Sequence, residues 1–228
     1  MWEKGARDKN EDSLVFWHMQ RGRQNKAVAV ICDGIGGFLR GEEASSYVVR
    51  QIANWFMSGG YQQKGRKRNQ ALQQFLFQIH EEIKEYGKEK GSPLGTTVTL
   101  VLIDNFKLYW FHCGDCRLYL SRGGKVKKLT PDHQDEKGNL NRAIGAGEWH
   151  ILDSGSVRIG KKDRLLLCSD GLYRKMEKEE WKIWFEKKVN SDEQARRMLK
   201  QLFQKKMAKG EKDNLSALYF GYTKRTEI

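Results

Sequence analysis

Acidic residues that lie far apart along the chain stand at the ends of apolar, strand-like segments. They are Glu11, Asp12, Asp33, Asp115, Asp170 and Asp213. The first three flank one predicted hairpin, in which apolar segments over 13–20 and 27–32 enclose a turn-rich stretch. Antiparallel pairing around that turn brings residue 12 close to residues 33–35. We therefore expect the carboxyl groups of Asp12 and Asp33 at the same end of this hairpin.

Carboxylates that converge on one end of a fold repel one another unless cations neutralise them. Oxygen ligands without paired histidines or cysteines favour hard ions such as Mn²⁺ or Mg²⁺. Two such ions that share one carboxylate can generate a bound hydroxide and stabilise an anionic oxygen. Each acid taken alone also fits a simpler role, since Asp33 before Gly34 could form only a turn and Asp170 only a helix cap.

The elements that must position these acids follow from the period of the apolar residues. Helical spacing predicts four helices, at about 42–56, 69–86, 178–187 and 192–208. Alternating, β-branched and aromatic runs predict further strands at 96–103, 106–113, 117–121, 126–129, 150–157, 164–168 and 215–222. The chain order is therefore two strands, two helices, many antiparallel strands, two helices and one strand.

Helices grouped apart from antiparallel hairpins indicate an α+β fold rather than a doubly wound parallel sheet. Two helix pairs could cover the outer faces of two packed antiparallel β-sheets, which gives a four-layer αββα sandwich. The sequence contains no internal repeat, low-complexity stretch or linker. We therefore expect a single domain over residues 1–228.

The composition excludes several classes of protein. The chain has 228 residues, of which 31% are charged and 39% hydrophobic, and this is enough apolar material for a folded core. The longest apolar run, 27–32, is far shorter than the ~20 residues of a membrane span. Residues 1–9 do not resemble a secretory signal. We expect a cytoplasmic protein that does not enter a membrane.

The formal net charge of +13 raises another possibility, because strongly basic domains often bind nucleic acids. The sequence shows no recognisable reading helix, zinc module or aromatic stacking motif, so nucleic acid is not the expected partner. Three of the four cysteines lie in or beside apolar runs, which favours reduced, buried thiols. Cys113 and Cys116 have redox or metal spacing, but no second pair supports that role.

The motifs resemble, in order, the PPM family of metal-dependent protein phosphatases, the protein phosphatase 2C type. The blocks are Gly5-Ala6-Arg7, Asn10-Glu11-Asp12, Asp33-Gly34-Ile35-Gly36-Gly37, Gly95-Thr96-Thr97, Gly114-Asp115-Cys116-Arg117, Leu129-Thr130-Pro131-Asp132-His133, Arg142-Ala143-Ile144-Gly145, Ser169-Asp170-Gly171 and Asp213-Asn214. Any one block is weakly specific, but the ordered set is highly specific. The family fold is the αββα sandwich expected above.

The resemblance implies a ligand set for two Mn²⁺ or Mg²⁺ ions. Asp33 would bridge the two ions. Asp170 and Asp213 would complete the protein ligands of one ion, while Glu11 and the backbone carbonyl of Gly34 would serve the other.

The resemblance also implies roles for residues around the ions. Arg7 would hold the substrate phosphate through its planar guanidinium. Asp12 and Asn214 would orient metal-bound waters. Asp115, together with Asp170, matches the pair that holds a third, weaker ion in bacterial members.

The implied reaction is hydrolysis of phosphoserine and phosphothreonine, by in-line attack of a hydroxide that bridges the two ions. No phosphoenzyme is expected. The implied partners are phosphorylated proteins, the substrates of a cognate serine/threonine kinase. The alternative is a binding or regulatory module of the same fold with little turnover, although such a module would not need every ligand position.

The chain departs from the family pattern near the expected site. Ile35 stands where many eukaryotic members have a histidine, and an apolar residue there is typical of bacterial members. The segment 133–142 is much shorter than the flap that many members carry. Selection of substrates by a flap is therefore in doubt.

Overall fold

Two five-stranded antiparallel sheets form the centre of the structure, a computed structural model that describes residues 1–22, 24–35, 40–187 and 189–221. The first sheet has the order β2-β3-β4-β5-β8, with β2 Asp12–Arg21, β3 Gln24–Asp33, β4 Val98–Asp104, β5 Lys107–Cys113 and β8 Asp153–Arg158. The second has the order β1-β10-β9-β6-β7, with β1 Trp2–Glu3, β6 Arg117–Arg122, β7 Lys125–Lys128, β9 Arg164–Cys168 and β10 Leu215–Gly221.

The helices divide between the two sheets. They are α1 Gly41–Met57, α2 Gly65–Glu89, α3 Asp170–Tyr173, α4 Lys178–Glu186 and α5 Asp192–Ala208. The predicted helices are confirmed, although α2 extends beyond 69–86 at both ends. The sequence did not predict β1 or α3, because two residues and one helical turn are too short to show a period. The last residue of the strand predicted at 215–222 lies outside the described residues.

Three apolar clusters separate the four layers and confirm the αββα sandwich. Between the first sheet and the helix pair α1 and α2 lie residues such as Val28, Val30, Ile52, Phe56, Leu76, Leu100 and Phe111. Between the two sheets lie residues such as Ala29, Ile31, Val101, Leu118, Leu120, Leu165 and Leu167. Between the second sheet and α4 and α5 lie residues such as Leu166, Cys168, Trp181, Trp184, Leu199 and Phe203. Alternate residues of one strand, such as Val28 and Ala29, therefore face different layers.

The strand register places the acidic strand ends together. In the first sheet Asp12 pairs directly with Asp33, within the range 33–35 predicted from the position of the turn. In the second sheet Cys168, at the end of β9, pairs with Arg117 of β6 and Ala217 of β10. Because the strands are antiparallel, the end of β9 lies beside the beginnings of β6 and β10. Asp115, Asp170 and Asp213 consequently stand at one end of this sheet.

The four cysteines, Cys32, Cys113, Cys116 and Cys168, are buried and unpaired, as predicted. Burial raises the pKa of the Cys113 thiol to about 12, so it stays protonated at neutral pH. No helix among the described residues has the length and apolarity needed to cross a membrane.

Candidate active site

A cleft of about 330 Å³ opens where these strand ends meet. Its lining comprises Arg7, Glu11, Asp33, Gly34, Ile35, Thr97, Asp115, Gly138, Leu140, Asp170, Arg174, Asp213 and Asn214. Every site residue predicted from the sequence is in this lining except Asp12, which is buried. Gly36 and Gly37 of the predicted motif lie outside the described residues. Acids drawn from the whole length of the chain therefore share one cleft.

The end of β3 is fixed by two threonines that follow α2. The backbone N–H of Asp33 donates a hydrogen bond to Thr97 Oγ1 at 2.9 Å, and Thr97 N–H donates to the Asp33 carbonyl at 2.8 Å. Thr96 Oγ1 donates to the same carbonyl at 2.9 Å. These hydrogen bonds position the backbone that carries the Asp33 carboxylate. The sequence did not predict this structural role of the two threonines.

Gly34 lies where three chain segments come close together. Its N–H donates to the Glu11 carbonyl at 3.0 Å. A Cβ at Gly34 would overlap the Gly41 carbonyl and lie 2.8 Å from the Glu11 carbonyl oxygen. Only a glycine lets the segment carrying Glu11 and the start of α1 approach this closely. The Asp33-Gly34 pair therefore does more than form a turn.

Asn214 ties the N-terminal segment to the start of β10. Its Oδ1 accepts a hydrogen bond from Glu11 N–H at 2.9 Å, and its Nδ2 donates to the carbonyls of Lys4 and Lys9 at 2.8 and 3.0 Å. These contacts position the segment that carries Arg7 and Glu11 in the cleft. The orientation of a metal-bound water by Asn214 stays a prediction.

Asp12 lies behind the cleft. Ser169 Oγ donates to Asp12 Oδ2 at 2.8 Å, whereas Asp12 Oδ1 is buried without a hydrogen-bond partner. Burial raises the pKa of Asp12 to about 6, although the hydroxyl groups of Ser216 and Ser169 favour the charged form. Serine hydroxyls therefore position Asp12 behind the cleft, and the orientation of metal-bound waters by Asp12 stays a prediction.

The carboxylates in the cleft repel one another. Burial and the charges of Asp12 and Asp170 raise the pKa of Asp33 well above its ordinary value. Burial and the charge of Asp115 raise the pKa of Asp170 to about 7, despite attraction to Arg174. Buried like charges of this kind favour a cation among them, and their oxygen atoms suit a hard divalent ion.

Two arginines supply the positive charge that the structure shows in the cleft. Arg7 Nη2 lies 3.0 Å from Asp213 Oδ2, and Arg174 Nη1 lies 3.1 Å from the same oxygen. Arg174 also forms an ion pair with Asp170. In the part of the chain that the structure describes, no three carboxylate, histidine or cysteine side chains meet closely enough to enclose an ion. Asp170 and Asp213 pair with arginines instead.

The short segment 133–142 reaches the cleft. Gln134 pairs with Leu140 in an isolated bridge, and Gly138 and Leu140 line the cleft. Gln134 Nε2 donates to Asp115 Oδ2 at 2.7 Å. The segment is therefore a small wall of the cleft, and sequence reasoning missed both Gln134 and Arg174. The spacing of Arg174, four residues after Asp170, is the signal that could have identified it.

The histidines of this region have structural contacts. His112 bonds Thr99 Oγ1 and the Pro131 carbonyl, and burial lowers its pKa to about 4. His133 accepts a hydrogen bond from Gly114 N–H at 2.9 Å and contacts Asp153. Neither ring lines the cleft.

Comparison with known proteins gives consistent results. The family model described as Protein phosphatase 2C matches residues 6–216. A Mycoplasma genitalium protein that is provisionally named as a protein phosphatase is 28% identical to this chain over 240 residues. The match covers 93% of this chain and 89% of the Mycoplasma protein. Protein phosphatase PhpP of Streptococcus pneumoniae is 27% identical over 187 residues, or 73% of this chain and 74% of its own. The structure of serine/threonine phosphatase Stp1 from Staphylococcus aureus has a TM-score of 0.83 at 23% identity, covering 98% of this chain and 93% of that chain. The last comparison shows a shared fold.

Proposed function

Because this chain belongs to the protein phosphatase 2C family of serine/threonine protein phosphatases, we propose that it hydrolyses phosphoserine and phosphothreonine in proteins with two Mn²⁺ or Mg²⁺ ions. One observation carries the proposal. Asp33, Asp170 and Asp213, which are distant in sequence, line one cleft beside the guanidinium of Arg7. Such a cleft combines ligands for hard cations with a group that binds phosphate.

The carboxylate and carbonyl oxygens of the cleft are the kinds of ligand that Mn²⁺ and Mg²⁺ prefer. Asp33 would be a ligand of both ions. Asp170 and Asp213 would be the other protein ligands of one ion. Glu11 and the backbone carbonyl of Gly34 would be the other protein ligands of the second ion. The raised pKa values of Asp33 and Asp170 support this assignment, because they indicate negative charge that the protein does not fully compensate. Bound divalent ions would supply Lewis acidity and lower the pKa of water toward neutrality.

Arg7 would bind the phosphate of the substrate. Its side chain is 47% exposed, and it contacts Asp213 at the cleft. A planar guanidinium can donate two parallel hydrogen bonds to phosphate oxygens, and it stays charged at any pH of interest. Arg7 would therefore orient the phosphoryl group and offset the charge on its oxygens during the reaction.

Direct hydrolysis fits the cleft better than a phosphoenzyme. Ser169 is fully buried, and its hydroxyl is bonded to Asp12. Cys32 and Cys116 are fully buried too, and burial raises their pKa values. Among the residues that line the cleft, only Thr97 carries a hydroxyl group. This hydroxyl accepts a hydrogen bond from the backbone N–H of Asp33. Water is therefore the proposed nucleophile.

The proposed partners are phosphorylated proteins, the substrates of a cognate serine/threonine kinase in the cytoplasm. The net charge of +13 would favour encounter with phosphorylated, acidic segments through long-range attraction. This attraction would weaken as the ionic strength rises.

Hydrolysis of a phosphothreonine peptide and of p-nitrophenyl phosphate, with added Mn²⁺ or with a chelator, tests the proposal. We expect turnover that depends on the divalent ion. Asp33→Asn should stay folded and lose metal-dependent turnover by at least about a thousandfold, because it removes the shared ligand. Glu186→Gln, at an exposed carboxylate on α4, is the matched control and should keep full activity.

Two results would contradict the proposal. A fully active Asp33→Asn variant would exclude the assigned ligand set. Phosphopeptide binding by the wild-type protein without turnover at any Mn²⁺ concentration would favour a binding module of the same fold.

A further inference from the structure

Arg174 lies among the carboxylates that the family resemblance assigns to a third, weaker ion. We propose that the Arg174 guanidinium takes the place of this ion, so that the protein binds two divalent ions and not three. The inference rests on the proposed function, since it assumes that the cleft binds divalent ions. It concerns Asp115 and Asp170, the pair expected to hold the third ion.

The contacts of Arg174 place its charge inside this cluster. The guanidinium forms an ion pair with Asp170 and lies 3.1 Å from Asp213 Oδ2. Asp115 attracts the same group electrostatically. One guanidinium therefore compensates charge on three of the carboxylates in the cleft. The ion assigned to Asp170 and Asp213 would also have the shared carboxylate of Asp33, whereas the third ion would have only Asp115 and Asp170.

Asp115, the other expected ligand of the third ion, is hydrogen-bonded within the protein as well. Gln134 Nε2 donates to Asp115 Oδ2 at 2.7 Å, from the short segment that forms a wall of the cleft. Tyr173 Oη donates to the Asp115 carbonyl at 3.0 Å and so fixes its backbone. Asp170 and Asp115 thus each contact a nitrogen donor of the chain itself. An amide and a guanidinium nitrogen donate hydrogen bonds and do not serve as ligands for a hard cation.

The backbone keeps Arg174 in this position. Arg174 follows directly after α3, and its N–H donates to the Asp170 carbonyl at 2.9 Å. The spacing of four residues puts the two side chains on the same side of the turn. A guanidinium cannot lose its proton in a protein. The charge at this position is therefore permanent and repels a divalent ion.

Counting the Mn²⁺ ions bound to the full-length protein, by titration calorimetry and by electron paramagnetic resonance of free Mn²⁺, tests the inference. Arg174→Met removes the charge and nearly keeps the length of the side chain, whereas Arg174→Lys keeps the charge. Arg197→Met, at an exposed arginine on α5 that pairs with Glu193, is the matched control.

We expect about two ions per chain for the wild type, Arg174→Lys and Arg197→Met. Arg174→Met should bind a third ion at least about a hundredfold more tightly than the wild type, because a unit charge close to that site is gone. Thermal unfolding establishes that each variant is folded.

The outcomes separate this inference from the proposed function. A wild-type protein that binds no Mn²⁺ contradicts the proposed function itself. A wild-type protein that binds a third ion, lost in Asp115→Asn, overturns the inference alone. So does a folded Arg174→Met that still binds two ions. If Arg174→Met does not fold, the number of Mn²⁺ ions bound by the wild type is compared with the number bound by Asp115→Asn. Two ions bound by each protein would support the inference.

Discussion

Replacing Asp170 by Asn removes a proposed metal ligand, yet it should stabilise the protein in the absence of metal. The Asp170 side chain is 8% exposed. Burial and repulsion from Asp115 raise its pKa from 3.8 to about 7, and attraction to Arg174 offsets these effects only in part. The ionised carboxylate therefore destabilises the metal-free fold at neutral pH.

The size of the effect follows from the pKa. A carboxyl group whose pKa rises from 3.8 to about 7 on folding costs about 4 kcal/mol of stability once it is ionised in both states. The pKa of about 7 already includes the attraction to the half-exposed Arg174, so the loss of this ion pair adds no further cost. The gain is therefore about 4 kcal/mol, or roughly 8–16 °C in Tm for a protein of this size.

The sign of the pH dependence is fixed by the direction of the shift. Because the folded state binds the Asp170 proton more tightly than the unfolded state does, the penalty is absent below pH 3.8. It grows as the pH rises and is complete above the folded-state pKa of about 7. The gain from Asp170→Asn should therefore be largest at pH 8 and fall by more than half at pH 5.

Urea and thermal unfolding of chelator-treated protein between pH 5 and pH 8 measure this gain. Glu186→Gln, which neutralises an exposed carboxylate on α4, should shift Tm by little at either pH. Added Mn²⁺ should stabilise the wild type more than Asp170→Asn, because ligands that bind only the folded state add stability. A metal-free variant that is less stable than the wild type at pH 8, or a gain that does not change with pH, would refute the electrostatic reasoning.

Two further substitutions separate phosphate binding from packing. Arg7→Ala should lower kcat/KM for a phosphothreonine peptide by about 10- to 100-fold in steady-state kinetics, since it removes a charge-assisted contact. Its Tm should change little, because Arg7 is 47% exposed, and an unchanged kcat/KM would exclude the assigned role. Gly171→Ala should destabilise the protein by about 3 kcal/mol in urea unfolding, because a Cβ there would overlap the Asn214 carbonyl. Gly160→Ala, where a Cβ would meet no atom closer than 4.0 Å, is the control, and equal losses in both variants would argue against the overlap.

The positions of Asp12 and Asp33 could be predicted because they depend on strand pairing. A turn near residue 23 brings residue 12 close to residues 33–35, and in the structure Asp12 pairs with Asp33. Asp170 and Asp213 come directly after β9 and before β10, which pair with each other. The sequence pattern did not predict this second pairing, because two helices separate β9 from β10 along the chain, and the family resemblance alone placed Asp170 and Asp213 with Asp33.

The cationic side chains could not be predicted in the same way. Runs of basic residues over 64–68 and 205–212 are typical of solvated surface, yet Arg68 and Lys206 are buried. The guanidinium carbon of Arg68 lies 3.5 Å from the centroid of the Tyr109 ring. The Lys206 ammonium donates a hydrogen bond to the Lys175 carbonyl. Long side chains reach partners on other elements, and local sequence does not reveal which partner is within reach.

The cleft and the apolar layers have opposite effects on stability. Asp12, Asp33, Asp115 and Asp170 all have raised pKa values with burial as the first cause, so their charges oppose folding at neutral pH. The three apolar clusters must offset this cost in the metal-free protein. A cation that binds the cleft would relieve the same repulsion, which couples ion binding to stability. The unfolding experiments on Asp170→Asn remove a negative charge from the cleft, and the ion counts on Arg174→Met remove a positive one. Both therefore measure the same electrostatic balance in the cleft.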